Sequence, residues 1–415
     1  MRFRGFTEHA ISLCFVCLIN LKSARKMFSK DTIIGIIGSG AMGAGIAQVA
    51  ASSGHHVIIY DNNKVALNKA KINLESTLKK LVDKKKLTKL SAKKIIEHIQ
   101  FANNLNQFKK CGLIIEAIVE NLEIKQKLFS DLEDFVSADC ILASNTSSFS
   151  IASIASACKR PERVIGIHFF NPAPLMPLVE IIPAITTNSE VTENSKKLID
   201  GWGKITVLAK DTPGFIVNRV ARSFYGESIR IYEEGIADFA TIDWAMKTFG
   251  NFKMGPFELM DFIGNDINFK VTESVWTQFF YEPRFKPSLT QKRLYEAKWF
   301  GRKSGRGYYN YADGIAMPKP TEDKKLGSYI FGRVIAMLIN EAVDSFYLQL
   351  ASKEDLDLAM TKGVNYPKGL LKWADDSGLQ NVLDILENLY NKYAEDRYRP
   401  SILLKAMAKN KKTFY

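Results

Sequence analysis

A chain of 415 residues with 46% hydrophobic and 11% aromatic content exceeds one average domain and can bury more than one core. Its net charge of +13, from 57 basic and 44 acidic residues, suits an anionic ligand, but no zinc-finger spacing or single-strand-binding signature accompanies it, so no nucleic-acid partner is expected. Five cysteines (Cys14, Cys17, Cys111, Cys140 and Cys158) are too few and too irregular for a disulfide framework and indicate a reducing compartment, and Cys14-x-x-Cys17 lacks the further ligands that a metal site needs.

Residues 1–29 read as an N-terminal extension. Arg2 and Arg4 precede an apolar run, Ala10 to Leu21, too short to span a bilayer, so no stable membrane span is expected. The segment fits a targeting sequence only weakly, because Glu8 interrupts its basic start and no small-x-small cleavage site follows; Met27 is an alternative start. A cytoplasmic location is expected, with the mitochondrial matrix as the alternative.

From Thr32 onward "TIIGIIG" reads as a buried parallel strand, "SGAMGAGIAQVAASSG" as a turn and helix, and "HHVIIYD" as a second strand. The turn carries Gly38, Gly40 and Gly43 in G-x-G-x-x-G order, which lets the chain turn tightly, brings pyrophosphate to the backbone and packs helix close to strand. Asp61 closes the second strand, where a carboxylate accepts from ribose hydroxyls and repels a 2′-phosphate. The combination predicts dinucleotide binding, with NAD favoured over NADP.

The next stretch, to about His98, has Leu67, Ala70, Leu74, Leu78 and Leu81 at helical spacing and is crowded with lysines between Lys79 and Lys94. It is either a solvated basic face or a phosphate-binding rim. Two further strands, "GLIIEAIVE" and "CILASNTSSFSI", end in Glu120 and in Asn145, Thr146, Ser147 and Ser148, at the strand ends where open parallel sheets hold ligands. "RVIGIHFF" presents His168 and "LVEIIP" contains Glu180; Pro172, Pro174 and Pro177 between them exclude a helix, and a stiff loop between neighbouring strands brings the two side chains together. "DTPGFIVNRV" marks the start of a helical region, with Thr212 as a candidate cap and Pro213 at the first helical position. The core of that region is expected to include Val220, Phe224, Ile231, Trp244 and Met246.

"GIIGSGAMGAGIA", "EAIVENLEIK", "SNTSS", "HFFNPAPLMPLVEII" and "DTPGFIVNR" together resemble the L-3-hydroxyacyl-coenzyme A dehydrogenases, from Ile33 to about Tyr311. Pro177, where a lysine or other residue commonly sits, is a small departure. The resemblance implies that His168 is the general base for the C3 hydroxyl, that Glu180 orients it, and that Ser147 and Asn218 bond the substrate oxygen. It further implies cofactor contacts from Asp61, Glu120, Lys125, Ser147, Asn171 and Lys303, coenzyme A contacts from Thr77 and Lys84, and reversible NAD-dependent oxidation of (S)-3-hydroxyacyl-CoA in fatty acid breakdown or a related thioester pathway. The alternatives are a dehydrogenase of a free β-hydroxy acid, which typically uses a catalytic lysine, and a noncatalytic NAD-binding relative.

From about Gly327 the chain repeats its helical region. A shift of 114 places Arg219 on Arg333, Val220 on Val334, Glu227 on Glu341, Asp243 on Asp357, Asn251 on Asn365 and Gly264 on Gly378. The second copy has Gly332 in place of Asn218 and stops before any "GRKSG" equivalent, so it is expected to be structural. The expected architecture is therefore an α/β Rossmann-type domain with a helical-hairpin insertion (30–211), followed by two tandem all-α domains (212–325 and 326–415). The copies are expected to pack as an intrachain pseudo-dimer in a monomer or a homodimer.

Overall fold

A computed structural model describes residues 28–415; Cys14, Cys17, the run Ala10 to Leu21 and Met27 lie outside the described residues. The first half builds an eight-stranded sheet: β1 (Ile33–Ile37), β2 (Val57–Tyr60), β3 (Ile99–Phe101), β4 (Cys111–Glu116), β5 (Ile141–Ser144), β6 (Val164–Phe169), β7 (Leu178–Pro183) and β8 (Ile205–Leu208), in the spatial order β3-β2-β1-β4-β5-β6-β7-β8. All neighbours are parallel except β6 and β7. β1 and β4 are neighbours although two strands intervene in the chain, so the order reverses there and a crevice opens at the strands' carboxyl ends. The strands are continuous apolar runs because both faces are covered. Ile34, Ile36, Val57 and Ile59 pack on α1 (Ala41–Ser52), whereas Ile37, Ile114 and Leu142 face the side of Phe129 and Ile151.

α2 (Lys64–Asp83) and α3 (Lys89–Glu97) form the helical hairpin. Asn63 caps α2 by accepting from Val65 and Ala66 N–H, and Thr88 caps α3 by accepting from Ser91 N–H. Leu67, Ala70, Leu74 and Leu78 are buried along one face of α2, leaving the lysines to solvent. α4 (Leu122–Glu133), α5 (Ile151–Ala155) and α6 (Ser189–Gly201) complete the layers.

The helical region begins later than its sequence pattern suggests. Thr212 caps nothing: its hydroxyl donates to Lys210 O, Gly214 and Phe215 take positive φ, and α7 (Val217–Val220) starts five residues on. The following elements are α8 (Arg222–Glu233), α9 (Phe239–Gly250), α10 (Pro256–Ile263), α11 (Asn265–Gln278) and α12 (Leu289–Glu296). Val220, Phe224, Ile231 and Met246 are buried in this core, and Trp244 is half-buried against it.

The second copy comprises α13 (Lys324–Tyr347), α14 (Lys353–Gly363), α15 (Leu370–Ser377), α16 (Leu379–Tyr393) and α17 (Ile402–Lys409). Equivalent backbone bonds recur: Asp243 accepts from Phe257 and Glu258 N–H, and Asp357 from Leu371 and Lys372 N–H. The second copy lacks a "GRKSG" equivalent, as its sequence indicates, but its final segment is seated like that of the first. Asp261 accepts from Tyr308 and Tyr309 N–H, and Asp375 accepts in the same way from Phe414 and Tyr415 N–H, so the final segment keeps its seat and only the "GRKSG" loop before it is missing.

The two copies exchange ion pairs. Arg219 Nε lies 2.6 Å from Glu341 Oε1, and Arg333 Nε lies 2.5 Å from Glu227 Oε1; the 114-residue shift converts one pair into the other. α13 is long and apolar enough to cross a membrane, but 72% of its apolar window is buried inside the protein.

Candidate active site

The loop after β1 and the N-terminus of α1 meet at Gly38, which takes φ 101°, and a Cβ there would lie 2.4 Å from Ala117 O. At Gly43 a Cβ would overlap Gly38 O, while at Gly40 it would meet nothing within 4 Å. The outer two glycines thus serve the fold, and the middle one keeps a space open beside uncapped helix N–H groups. Asp61 Oδ2 accepts from Ser39 N–H (2.8 Å) and Ser39 Oγ (2.9 Å), which places its carboxylate on the glycine loop. Gly38, Gly40 and Asp61 line a crevice of about 600 Å³ with Ile118 and Leu128.

His168 and Glu180 face each other in register on antiparallel β6 and β7, with His168 Nδ1 2.7 Å from Glu180 Oε2. Both are buried. Glu180 Oε1 accepts from Ile216 N–H (3.0 Å) and Val217 N–H (2.9 Å), donors that are free because Pro213, Gly214 and Phe215 delay the helix until α7. With Nδ1 engaged, Nε2 is the nitrogen left for chemistry. His168 lines a cleft of about 430 Å³ with Glu120, Lys125, Asn145, Ser147, Asn171 and, from α7, Asn218. The proline loop is pinned by Lys204, whose Nζ donates to Ala173 O and Met176 O; burial holds its pKa below the ordinary lysine value.

Sharing the cleft with His168 is a cluster in which the sequence reading missed two members, Glu116 and Ser144. Glu116, fully buried, is 2.5 Å from Lys125 Nζ and accepts from Ser144 Oγ (2.6 Å). Lys125 also pairs with Glu120 (3.1 Å), which accepts from Thr146 Oγ1, Ser148 Oγ and Ser147 N–H. Partial burial pushes the Glu120 carboxyl up, but Lys125 and the two hydroxyls outweigh it and its pKa lies below the ordinary glutamate value. The signal for Glu116 was a lone carboxylate at the end of an otherwise apolar strand.

The remaining candidates are more peripheral. Thr77 lines a groove of about 600 Å³ between α1 and α2 with Lys69, Asn73, Ser76, Lys80 and Pro174. Lys84 caps the exposed end of α2, outside that lining. Lys303 pairs with Asp266 at 2.5 Å, and Asp266, not Lys303, lines the outer mouth of the cleft.

The family profile described as 3-hydroxyacyl-CoA dehydrogenase, NAD binding domain, matches residues 33–212, and the profile of the C-terminal domain matches twice, over 214–311 and 329–413. The chain belongs to the 3-hydroxyacyl-CoA dehydrogenase family. NAD is its cofactor. The 3-hydroxyadipyl-CoA dehydrogenase of Escherichia coli is 37% identical, covering 90% of this chain and 97% of that protein. Human mitochondrial hydroxyacyl-coenzyme A dehydrogenase is 41% identical over 70% of this chain and 93% of its own. Among solved structures, a 3-hydroxybutyryl-CoA dehydrogenase of Escherichia coli superposes with a TM-score of 0.87 at 35% identity, covering 92% of this chain and 98% of that one. The (S)-3-hydroxybutyryl-CoA dehydrogenase of Ralstonia eutropha superposes with a TM-score of 0.66 at 35% identity; its whole length corresponds to 68% of this chain.

The residues of this dehydrogenase fit NAD. The open space at Gly40 beside bare helix N–H groups suits a pyrophosphate, and the Asp61 carboxylate at the end of β2 suits ribose hydroxyls.

Proposed function

We propose that His168 is the general base, paired with Glu180, in the NAD-dependent oxidation of (S)-3-hydroxyacyl-CoA to 3-oxoacyl-CoA. The observation that carries this is the 2.7 Å His168–Glu180 contact, which holds Nδ1 and leaves Nε2 to the cleft. Nε2 takes the C3 hydroxyl proton, and Glu180, fixed by two backbone N–H groups, stabilises the imidazolium that results. Bound NAD supplies the hydride acceptor. Ser147, from the loop after β5, and Asn218, from α7, donate to the substrate oxygen and stabilise its charge in the reverse direction. Arg222 Nε donates to Asn218 O at 2.7 Å and steadies that wall.

Gly38, Gly40 and Asp61 hold the adenosine half of NAD, Gly43 packs α1 close behind them, and Glu120, Lys125, Ser147 and Asn171 border its nicotinamide end, with Lys303 reaching the rim only through Asp266. Thr77 and the lysines of the hairpin, Lys84 among them, receive the anionic coenzyme A handle. This assignment favours the phosphate-binding rim over the bland basic face. In the same reading the second helical copy, tied to the first by exchanged buried ion pairs, takes the place of a partner subunit, and the chain works as a monomer. The bacterial relatives support a cytoplasmic location.

Reduction of acetoacetyl-CoA, followed through nicotinamide absorbance, tests the base. Wild type oxidises NADH far faster than NADPH, and His168→Ala loses about 10²-fold or more of kcat. Less than about tenfold loss in that variant removes His168 from the role.

A further inference from the structure

We infer that the second helical copy is a positioning element for the His168–Glu180 pair, acting through Gly363; the inference rests on the catalytic reading of that pair. β7 alternates, so Leu178 and Glu180 point to the same face of the sheet, and that face is covered by helices of the C-terminal region. α14, the second helix of copy two, lies directly on β7, β8 and α7. At its last residue, Gly363, a Cβ would sit 2.6 Å from Leu178 Cδ2 and 3.0 Å from Val217 Cγ2. Leu178 is two residues before Glu180 on β7, and Val217 is one of the two residues whose N–H holds Glu180 Oε1. The absence of a side chain at position 363 therefore sets how closely copy two presses on both supports of the carboxylate.

Two further bonds lock α14 and the loop before it to the same edge. Leu208 N–H donates to Asp355 Oδ2 (3.2 Å), and Lys210 N–H donates to Leu350 O (2.8 Å). Glu341 of α13 grips Arg219, the neighbour of Asn218, at 2.6 Å. Copy two contributes no group to the cleft, yet it backs the strand, the helix start and the arginine beside two of the proposed catalytic residues, Glu180 and Asn218. It acts through them as a brace.

The test uses the full-length protein oxidising (S)-3-hydroxybutyryl-CoA with NAD. The charged groups around the imidazole are Glu180, bonded to it, and Glu120 and Lys125, which line the same cleft. In Gly363→Ala, kcat falls about tenfold, a fraction of what a general base contributes, while KM for both substrates stays within about twofold. The acid limb of the kcat–pH profile moves to lower pH, because a displaced carboxylate supports the imidazolium less. Adding Leu178→Ala, which removes the atom that the new methyl meets, restores most of the rate and returns the limb. Wild-type kcat and an unmoved limb in Gly363→Ala overturn the inference. If that variant does not fold, Asp355→Ala decides: a loss of about threefold with the limb moved the same way supports the brace, and wild-type behaviour overturns it. His168→Ala run alongside separates the two failures. An active His168→Ala removes the catalytic reading itself, whereas an inactive one beside a normal Gly363→Ala removes only the brace.

Discussion

At the scale of single residues, the cleft is organised by carboxylates whose partners fix their state. Glu120 has a folded-state pKa below its ordinary value of 4.5, so the stability it contributes is fully present above pH 4.5 and is lost as the pH falls from there through the folded value. Glu120→Gln removes that part of the acid sensitivity: urea denaturation between about pH 3 and 6 shows a flatter acid arm than wild type. His168 and Glu180 were legible in the sequence because a histidine and a glutamate stood out in flanking apolar strands. Glu116 was not, since one carboxylate in "GLIIEA" looks like any strand end until Lys125 and Ser144 are seen to converge on it. The two N–H donors to Glu180 were hidden for another reason. The sequence "TP" reads as a helix start, whereas the positive φ at Gly214 and Phe215 postpones it.

Strands that continue into a motif are legible in the sequence, and those without one are not. β3 has three residues and β8 four, both at sheet edges with no site residue at their ends, whereas the equally short β2 and β5 run into Asp61 and into the polar residues from Asn145 to Ser148. The β1–α1–β2 unit is the opposite case, because glycine spacing, helix and terminal aspartate all agree. Asp61 both closes that unit and holds Ser39, so Asp61→Ala is expected to raise KM for NADH by about tenfold or more, the worth of one or two charge-assisted hydrogen bonds. It also narrows the preference over NADPH, since the repulsion of a 2′-phosphate is gone. Steady-state kinetics with the two cofactors read both effects.

For the molecule as a whole, the sequence repeat announced the duplication but not how the copies join. A shift of 114, falling to 113 by Pro287 and Pro400, lines up residues; only the fold shows that the matched arginines reach across to the other copy's glutamates. Arg333 is almost fully buried between Glu227 and Glu234, with the Tyr393 and Tyr398 hydroxyls accepting its remaining N–H groups. Arg333→Met leaves Glu227 without its cation, and denaturation should show a loss of about 3–5 kcal/mol. Restored wild-type stability in Arg333→Met combined with Glu227→Gln would mark the cost as that of the stranded charge, not of the packing.

The exchanged pairs also change what a mutation does. In an assembly of two identical chains, every substitution at a twofold contact strikes twice, and both ends must tolerate it. Here each end is encoded separately. Glu341 pairs with Arg284 in addition to Arg219, while Glu227 accepts from the Tyr398 phenol, so the two ends of the repeated contact already differ. One half is thus free to specialise in bracing while the other keeps the chemistry.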